Sequence, residues 1–332
     1  MKAEDNAKKK TIFQGLRPII FDENDYFCIK TQDMRDNNVK LNSPKAWLLA
    51  ARPKTLSGAA VPVMIALAMA WADGGSSVFR PLPAVLCLLF AFIMQVDANF
   101  INDYFDFMKG TDDETRLGPK RACAQGWVTL SAMRKAILAT TVMAGIVGLP
   151  LILYGGWEML VVGMLCVLFC FLYTTHLSYL GLGDVLVLVF FGLVPVCATY
   201  YLQTHTLDIV VLIASLACGL VIDTLLVVNN YRDRDNDRRA GKMTLVVRIG
   251  QKNSERLYLL LGIAACVLGV CHLINGHLWA TVLPLAYLVP HVRAYRRLVT
   301  INHGKRLNEV LGENARNMLI YGLLLVVGLL LR

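Results

Sequence analysis

Asn102-Asp103-Tyr104-Phe105-Asp106 closes a long apolar run, and acids continue at Asp112 and Asp113. A second acidic run, Asn229-Asn230-Tyr231-Arg232-Asp233-Arg234-Asp235-Asn236-Asp237, closes another. Carboxylates at the end of a membrane span are expensive and usually functional. Asn102 and Asp106 stand four residues apart and share one helix face, and Asn229, Asp233 and Asp237 repeat that spacing through two turns. Two carboxylate faces opposing each other can hold divalent cations, and hard cations with open water positions can hold a diphosphate. Asn24-Asp25-Tyr26-Phe27 repeats four of these letters but follows no apolar segment, so it reads as part of an N-terminal arm.

The rest of the composition fits this reading. The chain has 332 residues, 56% of them hydrophobic, and a mean hydropathy of +0.52. Soluble domains are about 45–50% apolar. Repeated long apolar segments point to an all-α, polytopic membrane protein. A polar start of the chain argues against a cleavable signal peptide. Residues 1–45 read as a charged arm and 46–332 as one transmembrane domain. The nine cysteines include no CxxC pair and read as small apolar packing residues. Spans are expected near 46–72, 84–107, 132–154, 157–175, 184–203, 208–232, 257–275, 278–300 and 314–331.

The net charge of +9 is concentrated in particular loops, and no nucleic-acid partner is expected. The loop after the second span carries Lys109, Arg116, Lys120, Arg121, Arg134 and Lys135. The loop after the sixth carries Arg232, Arg234, Arg238, Arg239, Lys242, Arg248, Lys252 and Arg256, and the loop after the eighth carries Arg293, Arg296, Arg297, Lys305 and Arg306. The opposite side offers Arg80 in its first loop and no Lys or Arg in the next three. The positive-inside rule then puts the N-terminus and both acidic runs in the cytoplasm, on a multi-pass protein of the inner (cytoplasmic) membrane. Some of these cations invite a second reading, because a diphosphate leaving group needs positive charge beyond the metal. Arg52 and Lys54 lie within the first span, Lys120 and Arg121 follow the first acidic run, and Lys242 follows the second. Arg234, Arg238 and Arg239 read as orientation charge alone.

The chain resembles the UbiA-type intramembrane prenyltransferases, and most closely their 1,4-dihydroxy-2-naphthoate branch. The resemblance rests on Arg52-Pro53-Lys54-Thr55-Leu56, on Gln95 and Asn99 ahead of Asn102-Asp103-Tyr104, and on Arg116-x-Gly118-Pro119-x-Arg121. It continues in Gly181-Leu182-Gly183-Asp184 and in Asn229-Asn230-x-Arg232-Asp233-x-x-x-Asp237, ending with Gly241-Lys242-x-Thr244-Leu245-x-Val247-Arg248-x-Gly250. It implies about nine transmembrane helices around a central cavity, a cytoplasmic Mg²⁺ site and a lateral opening to membrane lipid. It also implies transfer of a polyprenyl group from polyprenyl diphosphate to 1,4-dihydroxy-2-naphthoate, with loss of CO₂ and diphosphate. By the same resemblance Asn102, Asp103 and Asp106 serve the first metal-diphosphate motif, and Asp233 and Asp237 the second. The superfamily's third acid of the first motif falls on Gly110 here, which displaces that role to Asp112. Arg52, Lys54, Asn99, Lys120, Arg121, Asn229, Asn230 and Lys242 are the expected substrate-binding residues. Tyr173 could face an allylic cation with its ring. Asp97 and Asp223 lie deeper in their spans, outside the motifs, as possible partners of Arg52, Lys54 or cavity water.

Other readings are open to sequence alone. The acceptor could be 4-hydroxybenzoate, homogentisate, haem or a chlorophyllide. A membrane alcohol phosphotransferase would need one dense Asp cluster with nearby Gly and Ala-Arg, which is not found. A cation-coupled transporter should place its acids near the bilayer midplane, whereas these stand at helix ends.

Overall fold

The computed structural model describes residues 39–110 and 116–331, in which every regular element is helical. Asp112, Asp113 and most of the N-terminal arm lie outside the described residues. Among the described residues, eight helices are long and apolar enough to cross a membrane. In chain order, the first seven are α1 (Pro44–Ser77), α2 (Pro81–Met108), α3 (Leu130–Gly155), α4 (Glu158–Leu177), α5 (Gly183–Thr204), α6 (Ile209–Arg239) and α7 (Gln251–Leu273). A ninth segment, α8 (residues 278–301), precedes the last of the eight, α9 (Leu307–Leu330). The expected span at 278–300 is therefore helical but differs in kind. It is built of three pieces, Leu278–Val282, Leu283–Tyr287 and Leu288–Ile301, and its last piece carries Arg293, Arg296 and Arg297. Arg297 pairs with Glu309 and Glu313 of α9, so this end of α8 works as a charged strut.

The helices form where apolar runs of about 20 residues must satisfy every main-chain group internally. Their packing is uneven. In α6, 61% of the apolar window is buried, against 6% in α4. Thus α6 is the central post of the bundle, while α4 packs against few neighbours and gives much of its surface to the internal cavity described below. The main apolar cluster joins α1, α5, α6, α7 and α9 through residues such as Ile65, Val196, Val221, Ala265 and Leu325. Where α5 meets α6, a Cβ on Gly192 would stand 2.7 Å from the Ser215 carbonyl oxygen and 2.8 Å from Gly219 Cα. Only glycine permits that approach, and it locks the register of the two helices.

Near its start, α1 breaks. Its first piece, Pro44–Ala51, is capped by the Ser43 hydroxyl, which accepts from the Ala46 N–H at 3.3 Å. The first piece stops before Pro53, as helices do ahead of a proline, and Arg52 takes a left-handed conformation with φ 50°. Asn99 of α2 braces this break. Its amide donates to the Ala51 carbonyl and to the Thr55 hydroxyl, each at 2.9 Å. The kink points Arg52 and Lys54 at the interior.

Inside the bundle lies a cavity of about 1890 Å³, lined by α1 to α6 and α9. Its walls are apolar, with Met94, Phe169, Phe190, Leu202 and Leu319 among them. One end is polar.

Candidate active site

Both acidic runs sit on the last turns of long helices, and the fold brings those turns to the same end of the bundle. Asp106 of α2 and Asp233 of α6 both lie within electrostatic reach of Asp237. The loop between α2 and α3 folds over this end. The Leu117 carbonyl accepts from Asn308 of α9 at 2.8 Å, and a Cβ on Gly118 would come 2.7 Å from the Arg232 guanidinium. Glycine at 118 is what lets the loop close on α6.

Each carboxylate of the motif acids has a cation beside it. Asp106 accepts from Arg121 at 3.0 Å. Asp233 accepts two bonds from Arg232, at 2.8 and 2.5 Å. Asp237 has Lys242 at 3.9 Å, and its Oδ2 is buried without a hydrogen-bond partner. Lys109 joins the group from the end of α2. Its ammonium donates to the Thr174 and Thr175 carbonyls at 3.2 and 2.6 Å and lies 4.0 Å from the Tyr179 ring centre. Burial pushes Lys109 below the usual lysine value, and the Asp106 charge acts against that shift.

Of the expected site residues, Arg52, Lys54, Lys120, Asn102, Tyr173 and Asn229 line the polar end of the large cavity. The Asn102 side chain accepts from the Thr174 hydroxyl, and Asn229 accepts from Arg232 at 2.9 Å. Arg121 reaches the site through Asp106.

Several of the named residues lie away from the wall of the large cavity. Asp103 turns from the cavity wall into the α2–α3 loop. Its side chain is wholly buried, accepts the main-chain N–H groups of Ala122 and Cys123 at 2.9 and 3.2 Å, and stands 3.6 Å from Arg52. It anchors the loop that carries Arg121. Asn99 contacts the α1 break and Arg52, at 3.5 Å, and is absent from the cavity wall. Asn230 faces a separate small pocket shared with Asp184 and Lys242. Asp97 and Asp223 pair with neither Arg52 nor Lys54. Asp97 accepts from the hydroxyls of Thr140 and, at 2.8 Å, Thr141 on α3.

Arg232, Asn308 and Arg316 were given no role at the site from sequence. Arg232 is 2% exposed and holds Asn229, Asp233 and Asn308 together, the last at 2.9 Å. Its spacing of three from Asn229, on the face that continues to Asp233, is the signal that could have found it. Asn308 and Arg316 of α9 line the cavity, but nothing in the sequence near them marks a motif. Arg234 does more than orient the chain: it donates to the Tyr231 and Asn302 carbonyls at 2.7 and 2.8 Å, tying α6 to the end of α8.

The helix register predicts a contrast within the second run. Asp235 is exposed and points about 160° away from Asp233. Asp235→Ala should keep turnover within about twofold of the parent, the usual reach of a surface change. A loss as deep as that of Asp237→Asn would show that the wrong face has been assigned.

Chemically, the arrangement joins an apolar tube to a pad of three carboxylates and several cations. That pad suits a hard cation with a polyanion, as the partnerless Asp237 oxygen and the all-oxygen acidic donors indicate. Magnesium keeps several waters and takes only one or two carboxylates directly, so these residues fit it as a diphosphate complex.

Known proteins match this picture. The chain is 35% identical over 306 residues to 1,4-dihydroxy-2-naphthoate octaprenyltransferase of Escherichia coli (strain K12), covering 88% of this chain and 97% of that protein. It is 34% identical to the protein of the same name from Mycobacterium tuberculosis, covering 83% of this chain and 94% of the other. Among solved structures, a UbiA homologue from Aeropyrum pernix K1 superposes with a TM-score of 0.63 at 16% identity, over 82% of this chain and 97% of that one. A UbiA homologue from Archaeoglobus fulgidus bound to DMAPP and Mg²⁺ gives 0.59 at 13% identity, over 85% and 99%. The family profile described as the UbiA prenyltransferase family matches residues 59–327, and the chain is a multi-pass membrane member of that family.

Proposed function

We propose that this protein transfers a polyprenyl group from polyprenyl diphosphate to 1,4-dihydroxy-2-naphthoate, releasing diphosphate and CO₂. The observation that carries the reading is the cavity of about 1890 Å³, apolar along its length and ending at the tips of α2 and α6. A prenyl chain fills such a tube while its diphosphate stays at the charged end. The names of the 33–37% identical relatives support the acceptor. The positive loops support a site on the cytoplasmic side of the inner membrane, with membrane lipid around the bundle.

Mg²⁺ held as its diphosphate complex by Asp106, Asp233 and Asp237 would neutralise charge gathering on the leaving group. Asn102 and Asn229, with their side-chain oxygens at the cavity mouth, would help to hold that complex. Lys120, Arg121 and Lys242 supply further positive charge as the allylic C–O bond breaks and its electron pair leaves with diphosphate. Tyr173, on the cavity wall, turns an aromatic ring toward the carbon left electron-poor. The apolar walls keep out water that would trap it.

The electron-rich naphthoate ring then supplies the pair for the new C–C bond. If the carbon bearing the carboxylate attacks, the C–CO₂⁻ pair returns to the ring and CO₂ departs. Aromaticity is restored without a proton being removed, and the product is a demethylmenaquinol. Arg52 and Lys54 stand at the mouth to align the acceptor carboxylate, Arg52 steadied by Asn99 and Asp103.

The test mixes purified protein, Mg²⁺, a long prenyl diphosphate and one aromatic acid at a time. Demethylmenaquinol and CO₂ should form from the naphthoate, and chelation should stop both. Prenylated 4-hydroxybenzoate with its carboxylate retained, and no product from the naphthoate, would overturn the acceptor assignment.

A further inference from the structure

A cation stands inside a membrane span at Arg316 of α9. Six residues of that helix line the large cavity: Asn308, Leu311, Gly312, Ala315, Arg316 and Leu319. Their spacing is that of one helix face. Arg316 is exposed on it, and its neighbours there, Gly312 and Ala315, are small. A Cβ on Gly312 would meet nothing within 4 Å, so the guanidinium has room beside it. Arg52, Arg121 and Arg232 each have a carboxylate, in Asp103, Asp106 and Asp233. The two acids of α9, Glu309 and Glu313, are both held by Arg297. Among the described residues, none pairs with Arg316. An ionisable side chain in a span without a structural partner marks a ligand path.

Depth says which ligand. Arg232 meets Asn308, and Asn314 meets Thr224, each at 2.9 Å, so α6 and α9 run antiparallel. By that register Asn229 stands nearer the polar end than Arg316 by about six residues, or about 9 Å. Asp233 and Asp237 stand further out still. On the other flank, a Cβ on Gly58 would lie 3.9 Å from Met318 Cε, and a Cβ on Gly322 2.8 Å from Val61 Cγ1. Thus α1 and α9 run side by side in one direction, and Arg316 is level with the stretch just past the α1 break. Diphosphate at the acidic pad has its own cations in Lys120, Arg121 and Lys242. The other anion of the proposed reaction is the acceptor's carboxylate, which travels with an aromatic ring and belongs where the apolar tube begins. A guanidinium grips such a carboxylate with two parallel N–H···O bonds.

We propose that Arg316 binds the carboxylate of the aromatic acceptor from the α9 wall, and so selects acids over neutral phenols. It gives that carboxylate a partner besides Arg52 and Lys54. The inference rests on the proposed function only in taking the acceptor to be an aromatic carboxylate.

The experiment measures binding and turnover separately. Equilibrium binding of 1-hydroxy-2-naphthoate and of 1-naphthol to detergent-purified protein needs no reaction. Arg316→Gln should weaken the acid by about 10–100-fold, the span of a hydrogen bond to a charged group, and should leave the naphthol within about twofold. Arg316→Met should do the same and replaces the glutamine variant if that one fails to fold. In turnover with Mg²⁺, the acceptor KM should rise on the same scale while the prenyl diphosphate KM stays within about twofold. The unfolding midpoint should match the parent, since no described side chain leans on Arg316. Acid binding at the parental level would overturn the proposal, as would equal losses for acid and naphthol. A larger rise in the prenyl diphosphate KM would give Arg316 to the diphosphate. Parental acid binding with loss of a co-purifying anionic phospholipid would give it to a lipid phosphate. The proposed function fails on a different readout, the parent's own product. If the parent prenylates 4-hydroxybenzoate and not the naphthoate, that function falls, and 4-hydroxybenzoate against phenol then tests Arg316 in the same way.

Discussion

Asp237→Asn should lower turnover by about three orders of magnitude, equivalent to about 4 kcal/mol of transition-state stabilisation, while the protein folds and inserts as before. Asparagine keeps the shape of the side chain and removes its charge. Asp237 Oδ2 is buried and partnerless, and Lys242 is 3.9 Å away, so neutralising the acid strands nothing. What it removes is an anion facing the place where a metal-diphosphate complex would be held. Asp106→Asn should behave alike. Asp233 is a poorer probe, because it pairs with the almost wholly buried Arg232. Its truncation should cost folding and activity together. Turnover of Asp237→Asn and Asp106→Asn near the parental value, with Mg²⁺ saturating, would remove the acidic pad from the mechanism.

Asp103→Ala should be the most damaging single change to the fold at this end of the molecule. Its carboxylate satisfies two buried main-chain N–H groups, of Ala122 and Cys123, and faces Arg52. Breaking a buried charge pair costs about 3–5 kcal/mol, which in a chain this long lowers the unfolding midpoint by about 10 °C. Activity should fall with stability, since the released loop carries Arg121. Asp103→Asn should be intermediate, one amide oxygen still accepting. An Asp103→Ala protein that melts like the parent but has lost all turnover would contradict the anchoring role and return Asp103 to the metal site.

The contrast between Asp103 and Asp106 shows what sequence could and could not reveal. The spans were legible because an apolar run of membrane length has one way to satisfy its backbone. The pairing of the two acidic runs was legible too, because an even number of crossings separates them and the basic loops share their side. The loop contacts of Asp103 were not legible although it stands only one residue from Asn102. One step along a helix turns the side chain by about 100°, and here that turn leads from the cavity mouth into the α2–α3 loop. What lies there depends on how a loop folds back, which no local pattern encodes. Arg232 was hidden for the same reason. As one arginine in a run of charges it reads as topology, yet Asn308, far along the chain, completes its partners. Residues 278–301 were legible as helix but not as a charged strut, because the acids that meet Arg297 belong to α9.

The cavity's mixed character also bears on how the protein lets go. A prenyl diphosphate is a detergent-like molecule whose head belongs to water and whose tail belongs to oil, and a chamber polar at one end and greasy along its length suits both halves. The proposed transfer removes the head. The joined product has no phosphate and no carboxylate, so it carries no anion for Arg52, Lys120 or Lys242 to grip, while the freed diphosphate leaves from the polar end. Partition into the surrounding lipid is then downhill, and turnover needs no separate device to eject the product.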